Sequence, residues 1–266
     1  MQEPGRLRAL DGLRAVAVFA VIIEHGLSLT GPDELFSWWA PGPDGVRLFF
    51  VLSGFLITGI LLDARDRADR SGVTVIAVLR AFYLRRTVRI VPVAFLALAV
   101  ALAVDVPGIR AHAGWYLSYT SNILSAFQGH NDQGLGHFWS LAIEEQFYLL
   151  WPVAMLMLPR WGLPYAIGLS LIGPALGRLA VSPFTAYVLL PTRADSLACG
   201  AALAWLQRQG LSLRAIWLAA AGLGLVIAQS TESGMILLSA AAIVLAVRGR
   251  PRILSARDRK STRLNS

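Results

Sequence analysis

Apolar residues along this chain fall in blocks of about 15–20, separated by short polar stretches in which arginine dominates. A soluble helix alternates an apolar stripe with a polar face, whereas a block apolar all round suits the interior of a bilayer. Eight blocks are long enough to be read as spans, roughly 10–29, 46–62, 90–104, 138–158, 164–181, 187–206, 214–229 and 234–247. The pattern predicts an all-α fold, a polytopic transmembrane helix bundle of about eight spans. A ninth stretch, 112–127 (HAGWYLSYTSNILSAF), is more polar and aromatic and reads as interfacial or re-entrant.

Composition agrees with the pattern. Of 266 residues 56% are hydrophobic and only 15% charged, with a mean hydropathy of +0.58, which excludes an ordinary soluble domain and a disordered chain. The net charge of +8 is almost all arginine. In a soluble chain that excess would suggest nucleic acid; here it reads as cytoplasmic-loop arginine, and no nucleic-acid partner is expected. Arg6 and Arg8 precede the first span, and Arg65, Arg67, Arg70, Arg80, Arg85, Arg86 and Arg89 fill the second connection, so both are placed inside. The first connection, 30–45, carries Asp33, Glu34 and Asp44 and falls outside. If 112–127 does not cross, Arg160, Arg208, Arg214, Arg248, Arg250 and Arg252 also land inside. The expected location is a membrane, with the N-terminus in the cytoplasm. No cleavable signal peptide is expected, because the first block carries Arg14, Glu24 and His25. The lone Cys199 excludes an internal disulfide and a cysteine-based metal site, and no metal is expected. Residues 1–254 read as one transmembrane domain, incomplete at its C-terminus. Residues 255–266 (SARDRKSTRLNS) read as a non-native or disordered tail.

Ionisable groups within spans need a partner or a task, because lipid solvates them poorly. Arg14 and His25 are 11 residues apart, about three helical turns plus 20°, so they share one face some 16 Å apart along the axis. Asp11 can pair with Arg14 at i,i+3. The plainer readings are a snorkelling arginine and a packed histidine. Glu144 and Glu145 lie in HFWSLAIEEQFYLLWP, where Glu144, Tyr148 and Trp151 fall near one face. At least one of these carboxylates should face protein rather than lipid; the alternative is a pair of interfacial carboxylates near a helix start. Arg193 and Asp195, in LLPTRADSLACG, read as a neutralising ion pair at a helix start. Under the eight-span topology His25, Glu144 and this pair fall in the outer half of the membrane. Arg85, Arg86 and Arg89 form a cationic cluster suited to phosphates, or to anchoring alone. Gly45, Ser53 and Gly54 read as small packing residues, with Ser53 not a nucleophile.

The segments LDGLRAVAVFAVIIEH, GVRLFFVLSGFLIT, FYLRRTVRIVP, FWSLAIEEQFYLLWP and PTRADSLACGAALA, in that order over residues 6–206, resemble the membrane acyltransferase-3 family, integral-membrane O-acyltransferases that modify bacterial surface glycans and other hydroxylated products. The resemblance implies about ten spans in a full-length member, so one or two C-terminal helices are expected beyond these. It implies acyl-CoA, most simply acetyl-CoA, as donor, with His25 and Arg14 essential and Arg85, Arg86 and Arg89 contacting the donor. Glu144, Arg193 and Asp195 match recurrent polar positions of the family. The expected reaction is transfer to a hydroxyl of a glycan or related acceptor, with His25 as general base, Glu144 orienting it, and Asp11, Tyr148, Arg193 and Asp195 near the substrate. The same charges could serve a transporter or exporter as a proton relay, although neither repeated halves nor paired broken helices are visible. A non-catalytic scaffold subunit is the third reading.

Overall fold

A computed structural model describes residues 4–28, 41–132, 134–211 and 232–248, with the side chains of 4–8, 25–28, 232–234 and 248 excepted. Among the described residues the structure is helical and contains no strand. The helices are α1 (Pro4–Ser28), α2 (Pro41–Ser71), α3 (Val75–Ala103), α4 (Ile109–Leu117), α5 (Ser121–Gln128), α6 (Phe138–Met157), α7 (Leu163–Gly177), α8 (Pro183–Val188), α9 (Leu190–Arg208) and α10 (Glu232–Arg248). The chain divides into two compact units, residues 50–209 and residues 1–49 with 210–266.

Local chemistry sets the helix ends. Gly72, at φ +70°, closes α2 with its amide on the Ala68 carbonyl at 2.9 Å, the left-handed stop that only glycine reaches without strain. Thr74 then caps α3, its hydroxyl accepting from the Ala77 amide at 3.3 Å. Ser182 does the same for α8, with Pro183 in the first turn where its missing N–H costs nothing.

In the unit of residues 50–209, α3 and α6 run antiparallel. Ala94, Leu98 and Ala101 pack with Phe138 near one end, and the Tyr83 hydroxyl donates to the Leu149 carbonyl at 2.7 Å further along. Ile109, Tyr116 and Leu135 complete that apolar cluster and seat α4 on it. Helices α2 and α9 cross in backbone contact. A Cβ on Gly54 would overlap the Leu197 carbonyl, and one on Gly200 would overlap the Val51 carbonyl, so glycine is needed at both. Asp63, Asp66 and Asp69 line one edge of α2 and meet Arg160 and Arg208. Arg160 bonds Asp66 at 2.7 Å and Asp69 at 2.6 Å, and Arg208 pairs with Asp63 and Asp66. Arg65 adds a bond to the Met155 carbonyl at 2.8 Å. The C-terminal ends of α2, α6 and α9 therefore share one charged end, which joins the 63–89 connection to Arg160 and Arg208.

In the other unit α1 packs on α10. Gly45 permits the start of α2 to lie on α1, since a Cβ there would sit 2.5 Å from the Ala17 carbonyl oxygen. The Gly42 amide donates to Glu24 at 2.6 Å, placing a carboxylate at the positive end of α2.

Three helical stretches among the described residues are long and apolar enough to cross a membrane: Pro41–Ser71, Val75–Ala103 and Arg160–Ala180. The other expected spans fall short for identifiable reasons. Asp11, Arg14 and Glu24 interrupt α1, Glu144 and Glu145 interrupt α6, and the block at 187–206 breaks at Leu189 into α8 and the charge-bearing α9. Helix α10 keeps only a short apolar core, Met235–Val247. The block at 214–229, the tail at 255–266, and Arg214, Arg250 and Arg252 lie outside the described residues. Stretch 112–127 forms no single span. Helices α4 and α5 have nine and eight residues, about 12–14 Å each, against a hydrocarbon core of about 30 Å. Helix α3 starts at Val75, well before the expected 90, which carries the arginine cluster further along a continuous helix than the sequence blocks imply.

Candidate functional site

The most developed polar centre lies inside the unit of residues 50–209. Glu144, Tyr148 and Trp151 share one buried face of α6, as their i, i+4, i+7 spacing requires. Glu144 is 5% exposed. Its Oε1 accepts from the Ser53 hydroxyl on α2 and from the Tyr148 hydroxyl at 3.1 Å. The Arg86 guanidinium on α3 lies over the Tyr148 ring, its Cζ 3.6 Å from the centroid. Trp151 donates to the Thr58 hydroxyl at 2.8 Å and fixes α2 against α6 one turn further on. Ser53 therefore does more than fill space: it is a buried hydroxyl on a buried carboxylate. No local sequence signal marks this pair, because 91 residues separate its members.

The cluster Arg85, Arg86, Arg89 divides. Arg85 and Arg89 are exposed and lie one turn apart, while Arg86 turns inward towards Glu144, Glu145 and Tyr148. Tyr148 is the eleventh of the twenty residues of α6, so Arg86 sits level with the middle of that helix rather than at its edge.

Arg193 is 1% exposed and stacks over Tyr187 at 4.5 Å, and Tyr187 in turn packs on Trp139 with ring centroids 4.6 Å apart. The expected Arg193–Asp195 neutralisation is corrected here. Asp195 binds Arg178 at 2.8 Å, and Arg178 also donates to the Thr192 carbonyl at 2.7 Å. Residues two apart on a helix point about 200° from each other, so Arg193 and Asp195 diverge.

In the other unit Arg14 reaches Asp11 at 3.6 Å across one turn of α1; Arg14 is partly buried and Asp11 exposed. Helix α1 is uninterrupted from Pro4 to Ser28, so the 11-residue interval between Arg14 and His25 keeps its three-turn geometry. The side chain of His25 lies outside the described residues. Its neighbour Glu24, which holds the Gly42 amide, is a polar anchor that the sequence reading passed over.

A second polar group was also missed. His112 Nδ1 and the Tyr116 hydroxyl both meet Asp132 Oδ2, at 2.8 and 3.0 Å. Burial first, then the bond to Asp132 and its charge, push the Tyr116 phenol well above its ordinary value. Among the described residues there is no His/Cys/Asp/Glu group able to hold a metal.

Residues 7–253 match the profile of the acyltransferase-3 family, described as an acyltransferase domain. The chain belongs to that family. Among curated relatives, the peptidoglycan O-acetyltransferase OatA of Listeria monocytogenes is 35% identical over 223 residues, 74% of this chain and 33% of the relative. The O-acetyltransferase OatA of Staphylococcus aureus strain NCTC 8325 is 34% identical over 171 residues, 59% of this chain and 26% of the relative. The chain thus spans about a third or less of the length of these relatives. No solved structure matches it. In this acyltransferase-3 chain the matched region contains Arg14, His25, the divided arginine cluster and the Ser53–Glu144–Tyr148 centre.

Proposed function

We propose that this chain is the membrane domain of an O-acyltransferase. It moves an acyl group, acetyl in the simplest case, from cytoplasmic acyl-CoA to a hydroxyl of a cell-surface glycan, with peptidoglycan the first candidate. The observation that carries the reading is the family match over residues 7–253, and the name of the Listeria relative supplies the acceptor class. The proposal keeps the eight-span topology in the bacterial cytoplasmic membrane with the N-terminus inside, and assigns the charged end at Asp63, Asp66, Arg160 and Arg208 to the cytoplasmic face.

The exposed, one-turn spacing of Arg85 and Arg89 supports a role in holding the donor's phosphates, for which forked guanidinium bonds are suited. Arg14, held by Asp11, adds positive charge on the helix that carries His25. His25 takes the proton of the acceptor hydroxyl; the new oxygen–carbon bond forms as the carbon–sulfur bond breaks, and the proton passes to the departing thiolate. Glu144 is assigned a positioning role: it holds Ser53 and Tyr148 and offsets the charge of Arg86.

The test is transfer of radiolabelled acetyl from acetyl-CoA to added glycan by protein in proteoliposomes. His25→Ala should lower turnover by about 10²–10⁴-fold at normal insertion, the usual worth of a general base. Wild-type turnover in correctly inserted His25→Ala protein overturns the assignment. Passage of substrate without its modification would identify a carrier instead.

A further inference from the structure

The Ser53–Glu144–Tyr148 centre borders a cavity of about 240 Å3 between α3, the turn joining α4 to α5, and α6. Its lining includes Tyr83, Arg86, Tyr119, Glu145, Gln146 and Tyr148. Three of these, each on a different element, carry a buried polar atom with no hydrogen-bond partner: Arg86 Nε, the Tyr119 hydroxyl and Glu145 Oε1. Buried polar atoms are rarely left unpaired, and three around one cavity point to a group that completes them.

The backbone at Tyr119 adds an independent observation. Its φ is +55°, a conformation that L-residues with large side chains avoid and that persists where the surroundings impose it, often at binding sites. Here the surroundings are explicit. The Tyr119 carbonyl accepts from Gln146 at 3.0 Å, and Gln146 is held by Asn122 at 2.8 Å. The Tyr119 ring stacks on Phe95, centroids 6.4 Å apart and planes 24° apart. The strained residue is thus held by Gln146 and Phe95 with its phenol unengaged.

The polar set defines the ligand. Arg86 offers a donor, Glu145 an acceptor, and the Tyr119 phenol either. A hydroxyl can donate to the carboxylate while accepting from the guanidinium. A phosphate would face the like charge of Glu145, and the Arg86 guanidinium already sits over the Tyr148 ring. Three tyrosines around carboxylate, amide and guanidinium groups match the alternation of C–H faces and hydroxyl edges of a sugar ring. We propose that this cavity is a subsite for one ring of a polyhydroxylated acceptor, with Arg86, Tyr119 and Glu145 supplying its polar contacts. The proposal rests on the acyltransferase reading and sets Arg86 apart from the phosphate-holding pair Arg85 and Arg89.

Two measurements test it. In proteoliposomes, Tyr119→Phe and Glu145→Gln should each raise the KM for a soluble acceptor, a tetramer of N-acetylglucosamine, about 5- to 20-fold, the loss of one hydrogen bond. The KM for acetyl-CoA should stay within twofold. A raised donor KM with an unchanged acceptor KM overturns the assignment and gives the cavity to the donor's arm; no change in either leaves it water-filled and also overturns it. Calorimetric titration of the tetramer into wild-type protein in nanodiscs needs no turnover. Heat that weakens in Tyr119→Phe supports the subsite even where no transfer is seen, an outcome that would count against the acyltransferase reading alone. No detectable heat with wild-type protein that transfers acetyl to the tetramer overturns the subsite and leaves that reading standing.

Discussion

Gly200→Ala should loosen the crossing of α2 and α9, and the structure sets the size of the effect. A Cβ on Gly200 would lie 2.5 Å from the Phe55 amide nitrogen and closer still to the Val51 carbonyl oxygen. Ordinary nonbonded contact is about 3.5 Å, so the helices must part by roughly 1.5 Å to clear the nearer, carbonyl obstacle. Both obstacles are backbone, and no rotamer change relieves them. Overpacking of this kind costs about 1–3 kcal/mol. Gly168 on α7 is the internal control. It too is helical, but a Cβ there meets nothing within 4 Å, so Gly168→Ala should stabilise by about 0.5–1 kcal/mol through helix propensity and the lower entropy of the unfolded chain. The same substitution should therefore act with opposite sign at the two sites. Cys199, the only cysteine and buried beside Gly200, provides a local assay. Maleimide labelling in detergent reads the opening of this helix pair, and 1–3 kcal/mol corresponds to roughly 5- to 150-fold faster labelling in Gly200→Ala. Equal labelling rates in wild type and Gly200→Ala, at equal thermal stability, would refute the close crossing.

Two further predictions follow from the polar centres. Ser53→Ala removes a hydroxyl that donates to a buried carboxylate and should cost about 1.5–3 kcal/mol in denaturant unfolding; an unchanged midpoint would mean that Ser53 only fills space. A double-mutant cycle between Arg178→Gln and Asp195→Asn should show a coupling of about 0.5–3 kcal/mol, larger than the coupling between positions 193 and 195; the reverse order would restore the Arg193–Asp195 pair.

What could be read from the sequence was whatever helical periodicity decides. The shared face of Glu144, Tyr148 and Trp151 follows from i, i+4, i+7 spacing and is found buried on α6. The small residues Gly45 and Gly54 do mark close helix approaches. Composition separated 112–127 from the spans, and α4 and α5 are too short to cross. Where the sequence misleads about contacts, neighbours in sequence are not neighbours in space. Arg193 and Asp195 are two residues apart and look like a pair, yet a helix turns them to opposite sides and Asp195 meets Arg178, 17 residues away. Arg85, Arg86 and Arg89 look like one patch, yet the register of α3 on α6 draws Arg86 inward. That register is set by contacts such as Tyr83 with the Leu149 carbonyl, 66 residues apart, and no local pattern encodes it.

On the proposed function, the division of the arginine cluster separates the two substrates. An acyltransferase spanning a bilayer must hold a charged, water-soluble donor and a hydroxylated acceptor while keeping water from the reacting carbon. Under the proposed function, Arg85 and Arg89 take the first task, because forked guanidinium bonds suit phosphate. Arg86 suits the second. With Glu144 fixed by Ser53 and Tyr148, and the Tyr148 ring beneath the guanidinium, Arg86 would on that reading orient a neutral hydroxyl rather than recruit an anion. A single turn of α3 would then face both substrates, which requires Arg86 to lie deeper than its neighbours, level with the middle of α6. Replacing Ser53 or Tyr148 should consequently disturb acceptor binding before donor binding, because Tyr148 lies directly beneath the Arg86 guanidinium, Ser53 acts through Glu144, and neither approaches the exposed face that carries Arg85 and Arg89.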